Sequence, residues 1–287
     1  MPELPEVEIV KRSLIKMING TKIIDIKVKN KNLRYKLPSK LKSQLVNEKI
    51  YNISRRSKYL IFHFKKKLLL VHLGMTGKLL LMNKKNKRIF KTSFYYDLNI
   101  LPKHNHVFFT FNNGYILIYN DIRRFGFIKF YKNIDVTNIN YLNKLGIEPL
   151  SKFFNLNYFK KFTKNKKKNI KNLLMDQTFV SGIGNIYANE ALFMSRINPT
   201  RSSKGLKNKE IKKLISSLKI VLKFSILKGG SSIRDFKNIS GKIGDFQRFF
   251  KVYGKENKNC SRISCKGIIK RISISSRSSF YCNICQK

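Results

Sequence analysis

Tryptophan is absent from the 287 residues, so stacking on a planar ligand has to come from the 13 Tyr, the 22 Phe or from Arg. Acidic residues are scarce: 15 Asp and Glu face 61 Lys and Arg, a formal net charge of +46. That imbalance excludes the near-neutral surface of an ordinary metabolic enzyme and points to a polyanionic partner. Charge alone does not choose DNA over RNA, or an enzyme over a coat protein. The 47 Lys against 14 Arg, with abundant Ile and Asn, are also what AT-rich codons supply. No run approaches the ~20 consecutive apolar residues of a membrane span. The acidic, Pro-bearing start Met1-Pro2-Glu3-Leu4-Pro5-Glu6 is unlike a secretory signal, so a cytoplasmic location is expected. Cysteine is missing until Cys260, and then Cys260, Cys265, Cys282 and Cys285 follow within the last 28 residues. In a reducing compartment that clustering suggests a metal site and not a disulfide framework.

What is present is enough apolar residue, 42%, to build real cores, and enough length for two domains with a small appendage. Val7, Val10, Leu14 and Met17 recur at helical spacing, so residues 5–18 read as one amphipathic helix. From Thr21 to Tyr131 short β-rich runs recur, divided by turn residues such as Asn112-Asn113-Gly114, and a sandwich or barrel follows. Residues 83–101, rich in Lys and Asn, read as a long loop. Beyond residue 132 the runs are helical, at 141–146, 151–163, 168–177, 185–194 and 207–228. The layout is an α+β chain: a β domain over 1–131 with its N-terminal helix, a hinge over 132–146, a helical domain over 147–240 and a Cys-bearing tail over 250–287.

Two constellations carry chemistry. Cys260-x4-Cys265 and Cys282-x2-Cys285 are close thiol pairs of the kind that close a tetrahedral Zn²⁺ site. Four thiolates leave no open position for substrate, so one structural zinc per chain is expected. The intervening Lys266, Lys270, Arg271 and Arg277 make the tail a basic hairpin suited to nucleic acid. At the other end, Glu3, Glu6 and Glu8 crowd the first eight residues beside Pro2 and Pro5. Acids near a helix start complement its dipole, which leaves Pro2 without a reason. If Met1 is removed, Pro2 carries a secondary α-amine. Such an amine titrates near 7.7–8.0 and not near 10.4, so at pH 7 roughly 100-fold more of it is nucleophilic than of a lysine. Attack on a sugar anomeric carbon would give an iminium, with Glu3 placed to move the proton.

Pro2-Glu3-Leu4-Pro5-Glu6-Val7-Glu8 resembles the start of the bacterial formamidopyrimidine-DNA glycosylase family. The resemblance continues, in order, through Lys58-Tyr59-Leu60, His72-Leu73-Gly74-Met75-Thr76-Gly77, Asp121-Ile122-Arg123-Arg124-Phe125-Gly126, Gly184-Asn185-Ile186-Tyr187-Ala188 and Phe280-Tyr281-Cys282-Asn283-Ile284-Cys285-Gln286-Lys287. It implies an N-terminal β-sandwich, a helix-two-turns-helix domain and a C-terminal zinc finger. It also implies excision of oxidised purines, 8-oxoguanine and formamidopyrimidines, from duplex DNA by a monomer. On that resemblance Pro2 is the nucleophile, Glu3 the general acid, Lys58 the helper of β-elimination and Arg277 of δ-elimination. Met75, Arg123 and Phe125 fill the hole left by the extruded base, as base flipping requires. His104, Arg123, Lys166 and Asn185 contact DNA. Gly229–Lys242 matches a loop over the flipped base.

The chain departs from the family pattern in the four residues between Cys260 and Cys265, where two are usual. It also departs in Asn105 replacing an acid, in Lys168 replacing Thr, and in the length of 83–101. Two other readings stand beside the first. One is a non-catalytic zinc-bearing nucleic-acid binder. The other is an oxidised-pyrimidine glycosylase of the endonuclease VIII type, against which Leu4 argues, since that group usually has Gly-Pro after the first acid.

Overall fold

In a computed structural model, residues 2–87, 89–90, 101–164, 166–231 and 245–287 are described. The chain divides into two compact units, Met1–Asn143 with Lys228–Asp245, and Lys144–Leu227 with Phe246–Lys287.

The first unit begins with helix α1 (Leu4–Ile18). Pro5 suits the first turn, where its missing N–H would find no partner anyway. Glu6 reaches back to the Glu3 N–H at 2.8 Å, the reciprocal half of a capping box. Leu4, Val7, Val10, Leu14 and Ile18 form the buried stripe. Strands β1 (Ile23–Val28), β2 (Asn52–Arg56), β3 (Tyr59–Phe64), β4 (Lys67–His72), β5 (Lys78–Asn83), β6 (Ile89–Phe90), β7 (Asn105–Phe111), β8 (Tyr115–Asn120) and β9 (Phe127–Lys132) follow, with a short helix α2 (Leu41–Leu45) after β1. They form two antiparallel sheets, in orders β1-β7-β8-β5-β6 and β2-β3-β4-β9.

The alternation of strand side chains puts Leu60 and Phe62, Leu69 and Val71 from one sheet against Leu79 and Leu81, Val107 and Phe109, Leu117 and Tyr119 from the other. The α1 stripe joins the same core. The expected sandwich is therefore present, and β6 extends into the segment that reads as loop. Within 83–101, residues 88 and 91–100 lie outside the described residues. Helix α3 (Asn140–Asn143) is shorter than the expected 141–146 run.

The second unit holds helices α4 (Leu156–Thr163), α5 (Ile170–Met175), α6 (Asn185–Ser195) and α7 (Asn208–Leu227), then the hairpin β10 (Ile269–Ile274) and β11 (Arg277–Cys282). α4 and α5 start later than the apolar pattern implies because Asn155 and Asn169 cap them, accepting from the N–H of Tyr158 and Asn172 at 3.0 and 2.8 Å. α7 buries Ile211, Leu214, Leu218, Val221 and Leu222. α6 is buried on all sides and forms the centre of this core with Phe159, Leu173, Phe179 and Phe246. Among the described residues no helix is long and apolar enough to cross a membrane.

Candidate functional site

Pro2 and Glu3 are buried at the entry to α1. Besides holding the Glu3 N–H, Glu6 accepts through Oε1 from the backbone N–H and the hydroxyl of Ser231, at 2.9 and 3.0 Å. The start of the Gly229–Lys242 segment therefore meets the N-terminal end of α1; residues 232–242 of that segment lie outside the described residues. One turn further along α1, Glu8 accepts from Lys11, Arg12 and Arg55 at 2.8, 2.9 and 2.9 Å. Arg55 also donates to the Ser57 carbonyl at 2.8 Å. This chain of contacts ties α1 to the β2–β3 turn, where Ser57 adopts φ +56° and Lys58 is buried. The bridge ends on the Ser57 carbonyl, one residue before the buried Lys58.

Burial alone would raise the Glu8 carboxyl, but the hydrogen bonds from Lys11, Arg55 and Arg12 outweigh it and hold it below its usual 4.5. The folded carboxyl is the more acidic, so its contribution to stability is complete above about pH 4.5 and is lost as the pH falls through the lower folded value. Glu8→Gln should lower the melting temperature at neutral pH and make its fall on acidification shallower. Parallel melting curves from pH 7 to 3 for the two proteins would contradict this.

Met75, Arg123 and Phe125 sit together. Met75 and Phe125 are 43% and 42% exposed, each on a turn at the end of the sandwich strands. The Arg123 guanidinium lies 4.5 Å from the Phe125 ring centroid. His104, in a single 3₁₀ turn (Pro102–His104), accepts the Asp121 N–H through its carbonyl at 3.1 Å, at the start of the same loop. Partial burial, then the charge of Lys103, lowers the His104 imidazole from its usual value. His72 is neutral, lowered to about 4 by burial and then by the charges of Lys58 and Arg34, and its Nδ1 accepts the Gly74 N–H at 3.2 Å.

In the second unit, Arg277 is exposed at the tip of the β10–β11 hairpin, just after Ser275 and Ser276, both at positive φ. The carbonyl of Ser278, next to it, accepts from Asn185 Nδ2 at 3.0 Å and from Lys171 Nζ at 2.9 Å. Asn185 opens α6 directly after the turn Ser181-Gly182-Ile183-Gly184, so it and Arg277 are neighbours through Ser278. Lys166 is exposed beyond the end of α4, with Nζ 5.3 Å from the Phe162 ring.

The four cysteine sulfurs lie within 4.8 Å of one another. Cys260 Sγ and Cys285 Sγ are 3.8 Å apart, Cys265 Sγ and Cys282 Sγ 3.7 Å. Sulfurs at about 2.3 Å from a tetrahedral Zn²⁺ are about 3.8 Å apart, so the group could hold a metal ion of that size despite the long first spacing. The extra residues between Cys260 and Cys265 are anchored: Arg262 Nη2 donates to the Phe193 and Met194 carbonyls at 2.6 and 3.1 Å, and its guanidinium covers the Phe193 ring. Gly267 is obligatory, since a Cβ there would stand 2.5 Å from Cys282 Sγ.

Lys171 and Glu190 escape the sequence reading, and Asp121 enters it only as part of a motif, without a role. Lys171 is fully buried and supports the Arg277 hairpin through Ser278 and Ser279, the latter at 2.6 Å. Glu190, buried in α6, accepts the N–H groups of Lys251, Val252 and Tyr253 at 2.9, 3.0 and 2.8 Å; burial raises its carboxyl in spite of them. Asp121 is fully buried between the Met75 and Phe125 turns. A lone Lys or Glu carries no such signal in a sequence, although a Lys in the helix-forming run 168–177 with no acid three or four residues away is a weak one.

The formamidopyrimidine-DNA glycosylase N-terminal domain model matches residues 1–128, and the formamidopyrimidine-DNA glycosylase H2TH domain model matches residues 145–237. The formamidopyrimidine-DNA glycosylase of Rickettsia conorii is 43% identical over 287 residues, covering 100% of this chain and 99% of the relative. That of Bartonella tribocorum is 40% identical over 298 residues, with 100% of both covered. Among solved structures, the Lactococcus lactis enzyme in complex with abasic-site DNA is similar at a TM-score of 0.85 and 35% identity, covering 99% of each chain. The wild-type L. lactis enzyme with DNA containing N7-benzyl-Fapy-dG is similar at 0.84 and 34%, covering 100% of each. With its buried Pro2-Glu3 helix start, its paired turns bearing Met75 and Phe125, and its four-cysteine hairpin, the chain belongs to the formamidopyrimidine-DNA glycosylase family.

Proposed function

We propose that the protein is a bifunctional DNA glycosylase and abasic-site lyase that removes oxidised purines, 8-oxoguanine and formamidopyrimidines, from duplex DNA in the bacterial cytoplasm. The observation that carries the reading is the head of α1: Pro2 is buried there beside Glu3, in a helix start fixed by Glu6 and tied through Glu8 and Arg55 to the turn that bears Lys58.

Met1 is removed in this reading, and the Pro2 nitrogen attacks C1′ of the damaged nucleotide. The C1′–N bond breaks and its electrons leave with the base, which takes a proton from Glu3; the Pro2 N–H proton then passes by way of the Glu3 carboxylate to O4′ as the C1′–O4′ bond opens. The resulting iminium is the electron sink for loss of the C2′ proton and the 3′ phosphate, assisted by Lys58. Loss of the 5′ phosphate follows, assisted by Arg277. Met75, Arg123 and Phe125 enter the space vacated by the base, with the Arg123 donors facing the orphaned partner, expected to be cytosine. His104, Lys166 and Asn185 hold phosphates; the turn before Asn185 leaves backbone N–H groups open to one. Cys260, Cys265, Cys282 and Cys285 hold one structural Zn²⁺, whose task is to keep the Arg277 hairpin rigid.

The test is borohydride trapping on an 8-oxoguanine duplex. A covalent protein–DNA adduct supports the enzyme; binding without an adduct would leave only a nucleic-acid binder. An independent check concerns the charge. Each phosphate neutralised adds about −0.9 to the slope of log K against log salt. If the +46 charge faces DNA, binding to undamaged duplex should be tight at low salt and weaken steeply, with a slope of roughly −5 or beyond. A slope near zero would show that the lysines face elsewhere.

A further inference from the structure

The two turns that carry Met75 and the Arg123–Phe125 pair are joined through one buried carboxylate. Asp121 follows β8 and has no exposed surface. Its Oδ1 accepts from the Thr76 hydroxyl at 2.5 Å, and its Oδ2 accepts the Gly126 N–H at 2.8 Å. The Thr76 oxygen accepts in turn from the Arg123 N–H at 3.1 Å. The Tyr119 hydroxyl stands 3.2 Å from the His72 carbonyl and 3.4 Å from Asp121 Oδ2. The backbone of Asp121 is itself fixed, by the His104 carbonyl at 3.1 Å and by His106 Nε2 at 2.8 Å. The turns also touch without side chains between them. A Cβ on Gly74 would lie 2.4 Å from the Gly126 nitrogen, and one on Gly126 would lie 1.8 Å from the Tyr119 hydroxyl and 2.5 Å from the His72 carbonyl.

We infer that Asp121, acting through Thr76, is the positioning residue that locks these turns into one rigid wedge, and that it serves base extrusion and not the bond-breaking steps. The inference rests on the proposed role of Met75, Arg123 and Phe125. The physical reason is preorganisation. Prising a base from its stack has a cost that must be met by groups entering the gap. Two independently mobile turns would lose conformational freedom on entering it. Turns already ordered by a buried carboxylate lose little, because that ordering is completed on folding. Thr76 is the sensitive point, since its hydroxyl is both donor to Asp121 and acceptor from Arg123, and both bonds join protein groups.

The experiment uses the full chain with its metal. Thr76→Val keeps the shape and removes the hydroxyl; Thr76→Ser keeps the hydroxyl. Two quantities are read on an 8-oxoguanine duplex: the fluorescence rise of a 2-aminopurine beside the lesion, which reports unstacking, and the single-turnover excision rate. Borohydride trapping on a single-stranded abasic oligonucleotide, which needs no extrusion, is the reference. Thr76→Val should slow unstacking and excision by roughly tenfold, as loss of a hydrogen bond to a buried charge implies, with a much smaller fall in single-strand trapping. Thr76→Ser should restore both. Wild-type unstacking in Thr76→Val, an equal fall in all three readouts, or failure of Thr76→Ser to rescue would each overturn the clamp. Phe125→Ala and Met75→Ala separate the two levels: if these leave unstacking unchanged, the wedge itself is wrong and the clamp falls with it. If they slow it and Thr76→Val does not, the clamp alone is wrong.

Discussion

Pro2→Gly is expected to remove borohydride trapping by at least a hundredfold while changing affinity for duplex DNA by less than about threefold. A glycine start keeps a free α-amine, but a primary one on a flexible residue, without the fixed ring that aims the Pro2 nitrogen. Pro2 is buried at the start of a helix whose first turn is fixed by the Glu6 carboxylate, so its direction is set by the fold. Holding a nucleophile in the attacking geometry accounts for a large part of a barrier reduction of several kcal/mol. Duplex affinity, in contrast, comes from many basic groups acting on many phosphates, and none of them is lost. Retention of Met1, which buries the nitrogen in an amide, should have the same effect as the substitution. Mass spectrometry of the active protein should find Pro2 at the N-terminus. Trapping at the wild-type rate by protein with Met1 in place would refute the assignment.

Cys282→Ser should release the metal and reduce duplex binding and excision together. Cys282 is fully buried at the end of β11, its Sγ 3.7 Å from Cys265 Sγ and its N–H held by Gln286 Oε1 at 2.8 Å. Structural zinc contributes on the order of 10 kcal/mol to folding of such small sites, and the apolar cluster around the cysteines is small. The hairpin that bears Arg277 should therefore lose its order. The helices have a separate core around Phe159, Phe179, Tyr187 and Leu218, so the far-ultraviolet helical signal should survive. Arg277→Ala is the contrasting change: one zinc per chain is retained, and the loss should fall on δ-elimination and phosphate contact. Metal content measured beside excision distinguishes the two. A Cys282→Ser protein that keeps one zinc and full activity would exclude the four-cysteine site.

Much of the molecule is readable in one dimension because its signals are local. Strand alternation marks Leu60 and Phe62 or Val107 and Phe109 as inward residues, and the helical spacing of Val7, Val10 and Leu14 marks the α1 stripe. The chemistry proposed for Pro2 rests on its being the second residue, and the candidate metal site on two pairs of like residues at short spacing. Selection among like residues is not local. Sequence alone singled out Lys58 and Arg277 only through resemblance, whereas the structure buries Lys58 and braces the Ser57 carbonyl just before it through Arg55 and Glu8. Lys171 is chosen by a contact 107 residues away, with Ser278. Asp121 and Thr76 meet across 45 residues, and Gly267 is required only because Cys282 Sγ occupies the space beside it. Met75 would pass for a core methionine in any pattern of hydrophobicity; its exposure comes from a turn held outward by Gly74, His72 and Asp121. Periodicity and spacing determine which elements form, because each depends on near neighbours in the chain. Which charged residue is buried and which apolar one is left in solvent depends on groups brought together by the sheets and helices, and only the tertiary structure decides it.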